Sequence, residues 1–241
     1  LDPDAIEEAI ERHDPAVATM VHCETPTGTL NDLDPVLRAL DDAGVLTVVD
    51  AVSSVGGTPV PDGIDVCLAA SQKCLSSPPG LATLSVSDAA WEKVERTEQD
   101  SFYTSLEPWR GLSFDDPPAA FPYTQSVSNC YALEASLDRL LEEGLETAFE
   151  RHETAAERCR ERGRELGLEP YPPEELSSPT VTAFEVDRAT ELRERVAEEG
   201  VVLATGLGGM ADDLLRVGHM GHNAEVETVD RAMDALEAAR R

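Results

Sequence analysis

The chain has 241 residues, 41% of them apolar, enough to bury the core of one large domain or two modest ones. Its 48 Asp and Glu against 19 Lys and Arg give a formal net charge of −29, which excludes nucleic acid and anionic membranes as partners, since both bind through basic patches. No apolar run approaches the roughly 20 residues of a membrane span, and LDPDAIEEAI at the amino end is neither basic nor a hydrophobic signal segment. A cytoplasmic protein is expected.

The first half alternates between two periods. DPDAIEEAIERH reads as an amphipathic helix with Asp2 or Asp4 near its start, AVATMVH as a short apolar strand, and LDPVLRALDDAG as a second helix closed by Gly44. VLTVVD, IDVCLAA and LATLSVS follow as apolar strands, and a helix begins at Asp88. Alternating helices and strands that are apolar on both faces predict an α/β fold, a mostly parallel sheet covered by helices.

From Arg96 to Pro122 the pattern weakens. Pro108, Pro117, Pro118 and Pro122 share this stretch with Phe102, Tyr103, Trp109, Phe114 and Phe121, a composition that favours a subunit contact or substrate lid over a flexible linker. A long helical region, Ser126 to Leu166, then breaks at Gly144. SPTVTAFEV as a strand, ELRERVAEEG as a helix, VVLAT and LLRVGHM as short strands and ETVDRAMDALEAARR as a last helix predict a small α+β domain beside the first.

Lys73 and Lys93 are the only lysines; every other strong base is arginine. Acidic excess with scarce lysine over an ordinary core resembles proteins of salt-loving cells, where salt screens the repulsion between carboxylates. The five cysteines, Cys23, Cys67, Cys74, Cys130 and Cys159, show neither CxxC pairs nor interleaved histidines, so they read as reduced thiols and no metal site is expected. His22 and His219 lie beside or within strands and read as structural imidazoles.

GIDVCLAASQKCLSSPPG sets one lysine in a polar turn directly after an apolar strand. A desolvated ammonium is costly unless it is neutralised, so Lys73 asks for a partner. Asp50 ends the strand VLTVVD, and in an open parallel sheet ligands bind beyond the carboxyl ends of strands. An Asp there also suits a turn or a helix cap. One lysine and one aspartate at strand ends fit a Schiff base to pyridoxal phosphate, which needs an amine for the aldehyde and a carboxylate to keep the pyridine nitrogen protonated.

VHCETPTG, VVDAVSSVGG, GIDVCLAASQKCLSSPPG, SPTVTAF and LLRVGHMG, in this order, resemble the class V aminotransferases of fold type I, and within them the alanine-glyoxylate and serine-pyruvate group. The resemblance implies a catalytic Lys73 that holds pyridoxal 5'-phosphate and then moves a proton between the substrate's alpha carbon and the cofactor. It implies Asp50 on the pyridine nitrogen, Gln72 on the phosphate and Thr25 on the ring's phenolic oxygen. Thr124 would cross a homodimer interface to the neighbour's phosphate, and Arg216 would fork onto the substrate carboxylate. Residues 1–143 would be the carboxyl-terminal part of the large cofactor-binding domain and 144–241 the small domain. The implied reaction moves an amino group from alanine or serine to a 2-oxo acid such as glyoxylate or pyruvate.

Two departures bear on that expectation. Family members begin well before VHCETPTG, and their earlier part supplies sheet strands, a phosphate loop and an aromatic ring over the pyridine, so a second reading is a catalytically impaired remnant acting as an interaction or structural module. Asp212 and Asp213 stand near the expected substrate end, where neutral or basic residues are expected. A cysteine desulfurase, on the same fold, is disfavoured because Gln72 stands where a histidine is usual and no cysteine follows Cys159.

Overall fold

The computed structural model describes residues 1–112 and 121–241. Phe114, Pro117 and Pro118 of the predicted irregular segment lie outside the described residues. In the amino-terminal part, helix α1 (Pro3–His13) precedes β1 (Val17–Val21), a small hairpin of β2 (Cys23–Glu24) and β3 (Thr29–Leu30), helix α2 (Asp34–Asp42), then β4 (Leu46–Asp50), β5 (Val66–Ala70), β6 (Ala82–Val86) and helix α3 (Asp88–Glu95). The signals named in the sequence act where expected. Asp2 caps α1 by accepting from the Asp4 N–H, and Gly44 follows α2 with a φ of +70°; α3 begins at Asp88 as expected, capped by the Ser87 hydroxyl through the Ala90 N–H.

The sheet order is β1-β4-β5-β6, with β1, β4 and β5 parallel and β6 antiparallel to β5. Two small apolar clusters support it. Leu33, Leu37, Val49 and Ala51 form one, and Val36, Leu40 and Val45 form the other, so α2 packs its apolar stripe under β4. The apolar strands are less covered than their composition suggests: no residue of β6 is buried, and β5 buries only Ala69.

Helix α4 (Val127–Glu143) ends at Gly144, whose φ of +88° lets the chain turn sharply into α5 (Leu145–Glu165). Beyond it come β7 (Val181–Glu185), α6 (Ala189–Glu198), β8 (Ala204–Thr205), β9 (Leu214–Gly218) and α7 (Val226–Arg240). β7, β9 and β8 make an antiparallel sheet in that order, over a core that includes Phe184, Leu215, Met233 and Leu236. The predicted strand VVLAT is pared to two residues, because Val202 is 89% exposed and gains nothing from pairing.

The two parts meet at specific backbone contacts. The Gly28 carbonyl accepts the Ser178 N–H at 2.8 Å, and a side chain on Gly28 would sit 2.9 Å from the Val181 carbonyl oxygen. Only a glycine with φ +70° lets the hairpin lie this close to β7. In the irregular segment the described aromatics fold on one another: Tyr103 stacks on Tyr123 at 4.5 Å and Trp109 meets Tyr123 edge-on at 5.4 Å.

Candidate active site

Two neighbouring parallel strands and the hairpin that follows a third bring three of the expected residues to one edge of the sheet. Thr25 comes directly after β2, in the hairpin beyond β1, Asp50 is the last residue of β4, and Lys73 lies three residues beyond β5. The pairing of Val21 with Asp50, and of Asp50 with Leu68, aligns these ends, so their side chains reach the carboxyl edge together. A cleft of about 370 Å³ there is lined by Thr25, Asp50, Ser53, Lys73 and Arg216, with Cys23 and Leu207. Lys73 and Gln72 also line an adjoining cleft of about 510 Å³ with Ser76, Ser77, Met220 and His222.

The turn after β4 is the hub of this edge. Ser53 shares a 2.5 Å hydrogen bond with the Thr25 hydroxyl, and its carbonyl accepts from Thr180 Oγ1 at 2.7 Å and from Cys74 Sγ at 3.6 Å. A side chain on Gly57 would lie within 2.7 Å of Cys74 Sγ and Thr180 Cγ2, so the second glycine of VGG is needed for the Asp50 turn to pack on the Lys73 turn. Asp50 Oδ1 accepts the Val52 N–H at 2.9 Å, which orients the carboxylate, and its other oxygen has no partner among the described residues.

Charge is arranged with little internal neutralisation. Among the described residues neither Lys73, Asp50 nor Arg216 is in an ion pair, although the chain carries 48 carboxylates. Arg216, on β9, donates Nε to the Thr205 carbonyl at 2.6 Å and Nη1 to the Thr25 carbonyl at 3.1 Å. These bonds aim the guanidinium into the cleft with donors to spare. Burial pushes its pKa below the ordinary value, yet it remains charged at any pH at which a protein stays folded.

Burial raises Cys23 and pushes Cys74, beside the lysine turn, and Cys159, in the carboxyl-terminal core, up to about 12, so all three stay protonated at neutral pH. Two buried histidines are likewise held neutral. His219 is pushed down to about 3 between the Thr182 hydroxyl and the Pro179 carbonyl, and His22 is lowered beside Ser54. Among the described residues no cluster of three or more His, Cys, Asp or Glu could hold a metal ion, and no helix is long and apolar enough to cross a membrane.

Two expected residues stand apart from the cleft. Gln72 is exposed in the adjoining cleft, and Thr124 is exposed on the segment before α4 and lines neither. The two carboxylates expected near the substrate end also turn elsewhere: Asp212 accepts the Thr190 N–H at 3.0 Å at the start of α6, and Asp213 lines a separate surface depression with Tyr171 and Glu185. The cause is the 3-10 turn at Gly208–Met210, which swings Asp212 towards α6 before β9 returns Arg216 to the cleft. Sequence reasoning missed Ser53; its signal was the SS pair directly after the strand-end aspartate.

Among the described residues, an amine and a carboxylate without ion pairs thus stand beyond the ends of neighbouring parallel strands, with an arginine beside them. Pyridoxal phosphate fits this donor set, because its aldehyde and its pyridine nitrogen lie at opposite ends of one ring. The aminotransferase class-V model matches residues 1–231. An alanine-glyoxylate aminotransferase of Oryctolagus cuniculus is 36% identical over 97% of this chain and 62% of its own length. An aminotransferase of Methanocaldococcus jannaschii is 35% identical over 95% of this chain and 61% of its own length. The solved alanine-glyoxylate aminotransferase of Nostoc sp. superposes with a TM-score of 0.93 at 30% identity, covering all of this chain and 66% of that one. The chain belongs to the class-V aminotransferases, a pyridoxal phosphate-dependent family, and spans about 60% of the length of the relatives it matches.

Proposed function

We propose that the protein is a pyridoxal phosphate-dependent aminotransferase that moves an amino group from a small amino acid, alanine or serine, to a 2-oxo acid such as glyoxylate or pyruvate. The observation that carries this reading is the unpaired Lys73 amine sharing a cleft with Asp50 and Arg216 at the carboxyl edge of the parallel strands. When bound, the cofactor supplies the electron sink that loosens the bond to the substrate's alpha hydrogen.

The chain's own residues do the rest. Lys73 Nζ supplies the amine that holds the aldehyde, and once free it takes and returns the proton at the alpha carbon. Asp50 would accept a hydrogen bond from the protonated ring nitrogen, the Thr25 hydroxyl would donate to the phenolic oxygen, and Gln72 would donate to the phosphate from the adjoining cleft. Arg216 forks onto the substrate carboxylate, its direction set by the Thr205 and Thr25 carbonyls. Thr124 serves the site of a second copy in a homodimer, which its exposure away from both clefts supports.

Residues 1–143 and 144–241 act as two domains; separate apolar clusters support that division. The −29 charge suits a salt-rich interior, and five unpaired thiols suit a reducing cytoplasm. The test is to incubate the protein with pyridoxal phosphate, reduce with borohydride and map the adduct by mass. Label on Lys73 together with turnover of alanine or serine with glyoxylate in high salt is expected. An unlabelled Lys73 would sink the reading.

A further inference from the structure

Gly221, in the loop after β9, is gripped on both sides of its backbone by neighbouring side chains of α5. Arg151 is fixed by two bonds to Glu143, at 2.6 and 2.9 Å, and donates Nη1 to the Gly221 carbonyl at 2.7 Å. His152 is fully buried, with Nδ1 2.6 Å from the Ala148 carbonyl and Nε2 2.9 Å from the Gly221 nitrogen. A carbonyl only accepts, so Nδ1 carries the proton and Nε2 offers a lone pair to the Gly221 N–H. Burial, helped by the charge of Arg151, lowers the ring's pKa against the opposing Ala148 bond and Glu143, and only the neutral ring can accept.

The gripped residue presses on the lysine turn. A side chain on Gly221 would lie 1.8 Å from Ser76 Oγ and 3.0 Å from the Cys74 carbonyl oxygen. Ser76 itself has a φ of +60°, a conformation that is unfavourable for any residue with a Cβ and persists only when its surroundings enforce it. Three bonds enforce it here: Ser76 Oγ accepts the His222 N–H at 3.0 Å, the Ser76 N–H donates to the Lys73 carbonyl at 2.9 Å, and Ser136 Oγ donates to the Ser76 carbonyl at 3.0 Å. The path therefore runs from α5 through Gly221 and Ser76 to the peptide that carries Lys73.

We propose that His152 is a positioning residue for Lys73: by accepting the Gly221 N–H it holds Ser76 in its left-handed conformation and so sets where the lysine amine enters the cleft. The inference rests on the reading of Lys73 as the cofactor-holding amine. His152 lines neither cleft, so it acts on the chemistry through what it holds: the Gly221 amide that presses on the lysine turn and, more weakly, Gly57, where a side chain would lie 3.1 Å from its ring.

The test compares wild-type protein with H152L, H152Q and S76A, each loaded with pyridoxal phosphate. His152→Leu keeps bulk and removes the acceptor; His152→Gln replaces Nε2 with an amide oxygen; Ser76→Ala cuts the path at its far end without opening the core. Amide hydrogen exchange of residues 71–77, read on apoprotein, should quicken about tenfold in H152L and S76A and return to wild type in H152Q. In the loaded protein kcat should fall about 10- to 100-fold in both disruptive variants with KM within about twofold, and the pH midpoint of the lysine–cofactor absorbance band should move with it. Wild-type exchange, midpoint and kcat in H152L overturn the proposal; should H152L not fold, wild-type values in S76A overturn it, and because Ser76 itself lines the adjoining cleft the supporting readout in S76A is the apoprotein exchange of residues 71–77. A wild-type protein that takes no label on Lys73 overturns the reading of Lys73 and this inference with it, whereas a labelled wild type with unchanged variants overturns only the inference.

Discussion

In β7 four of five residues are buried, and in β6 none is. The part that contains β7 closes on a single apolar core in which Phe184, Leu215, Met233 and Leu236 are fully buried, rimmed by Arg158 on Asp230 at 2.8 Å and Arg162 on Asp234 at 2.7 Å. The part that carries Lys73 and Asp50 has two small clusters, and the 17-residue helix α4 beside it buries no side chain at all. One region is held by packing. The other is held at its strand ends by hydrogen bonds between turns, through Ser53, Thr180 and Ser76, and so keeps a charged cleft open at the edge of its sheet. The difference teaches that the groups assigned to chemistry are fixed by directional bonds, which specify position, while burial elsewhere supplies stability.

The strongest way to break that contrast is to remove packing from the compact region. Phe184 touches Gly163 so closely that a side chain there would meet its ring at 2.2 Å, so the site has little room to collapse. Phe184→Ala should lower stability by about 3–5 kcal/mol in urea unfolding. A loss under about 1 kcal/mol would show that the core is not where this region's stability lies. Next in size is Arg216→Lys, which tests the one charged side chain the compact region contributes to the cleft. Its planar fork is lost, and KM for the amino donor should rise about 10- to 100-fold, with the unfolding midpoint little changed. An unchanged KM would remove Arg216 from substrate binding.

The pH dependence separates the regions again. His219 and His152 belong to the compact part and His22 to the sheet, and burial lowers all three from 6.5. A histidine with a lowered folded pKa contributes stability above its unfolded value of about 6.5 that drains away as pH falls, because the unfolded chain takes the proton first. For His219, held at about 3, the loss continues throughout the range from pH 6.5 to 5. Replacing it with Gln should flatten the fall by about 1.4 kcal/mol per pH unit, measured by urea unfolding at constant salt. Parallel curves for wild type and H219Q would mean that the ring is not protonated on unfolding.

Much of this was legible in the chain. Local signals, such as Gly44, Gly144 and the apolar runs, placed the helices and strands, since each acts within a few residues of itself. Asp50 and Lys73 were legible as opposite charges at strand ends, whereas Thr25 and Arg216 entered only through the resemblance to the family's motifs; all four line one cleft. His152 was not: its partner Gly221 is 69 residues away, and no spacing rule links a helix histidine to a distant loop amide. Nor could periodicity show that Asp212 turns to α6, which depends on the geometry of one 3-10 turn.

The smallest effect is the sharpest probe of the contrast. Leu84 lies at the centre of β6 and is 44% exposed, in a strand whose other face is no better covered. Leu84→Thr keeps β propensity and removes apolar area that this chain leaves in water, so unfolding of the 241-residue chain should change by less than about 0.5 kcal/mol. A loss above about 1.5 kcal/mol would mean that another surface covers β6 in solution. The open sheet would then be the face of an assembly, and the weaker burial around Lys73 would belong to the isolated chain and not to the site as it works.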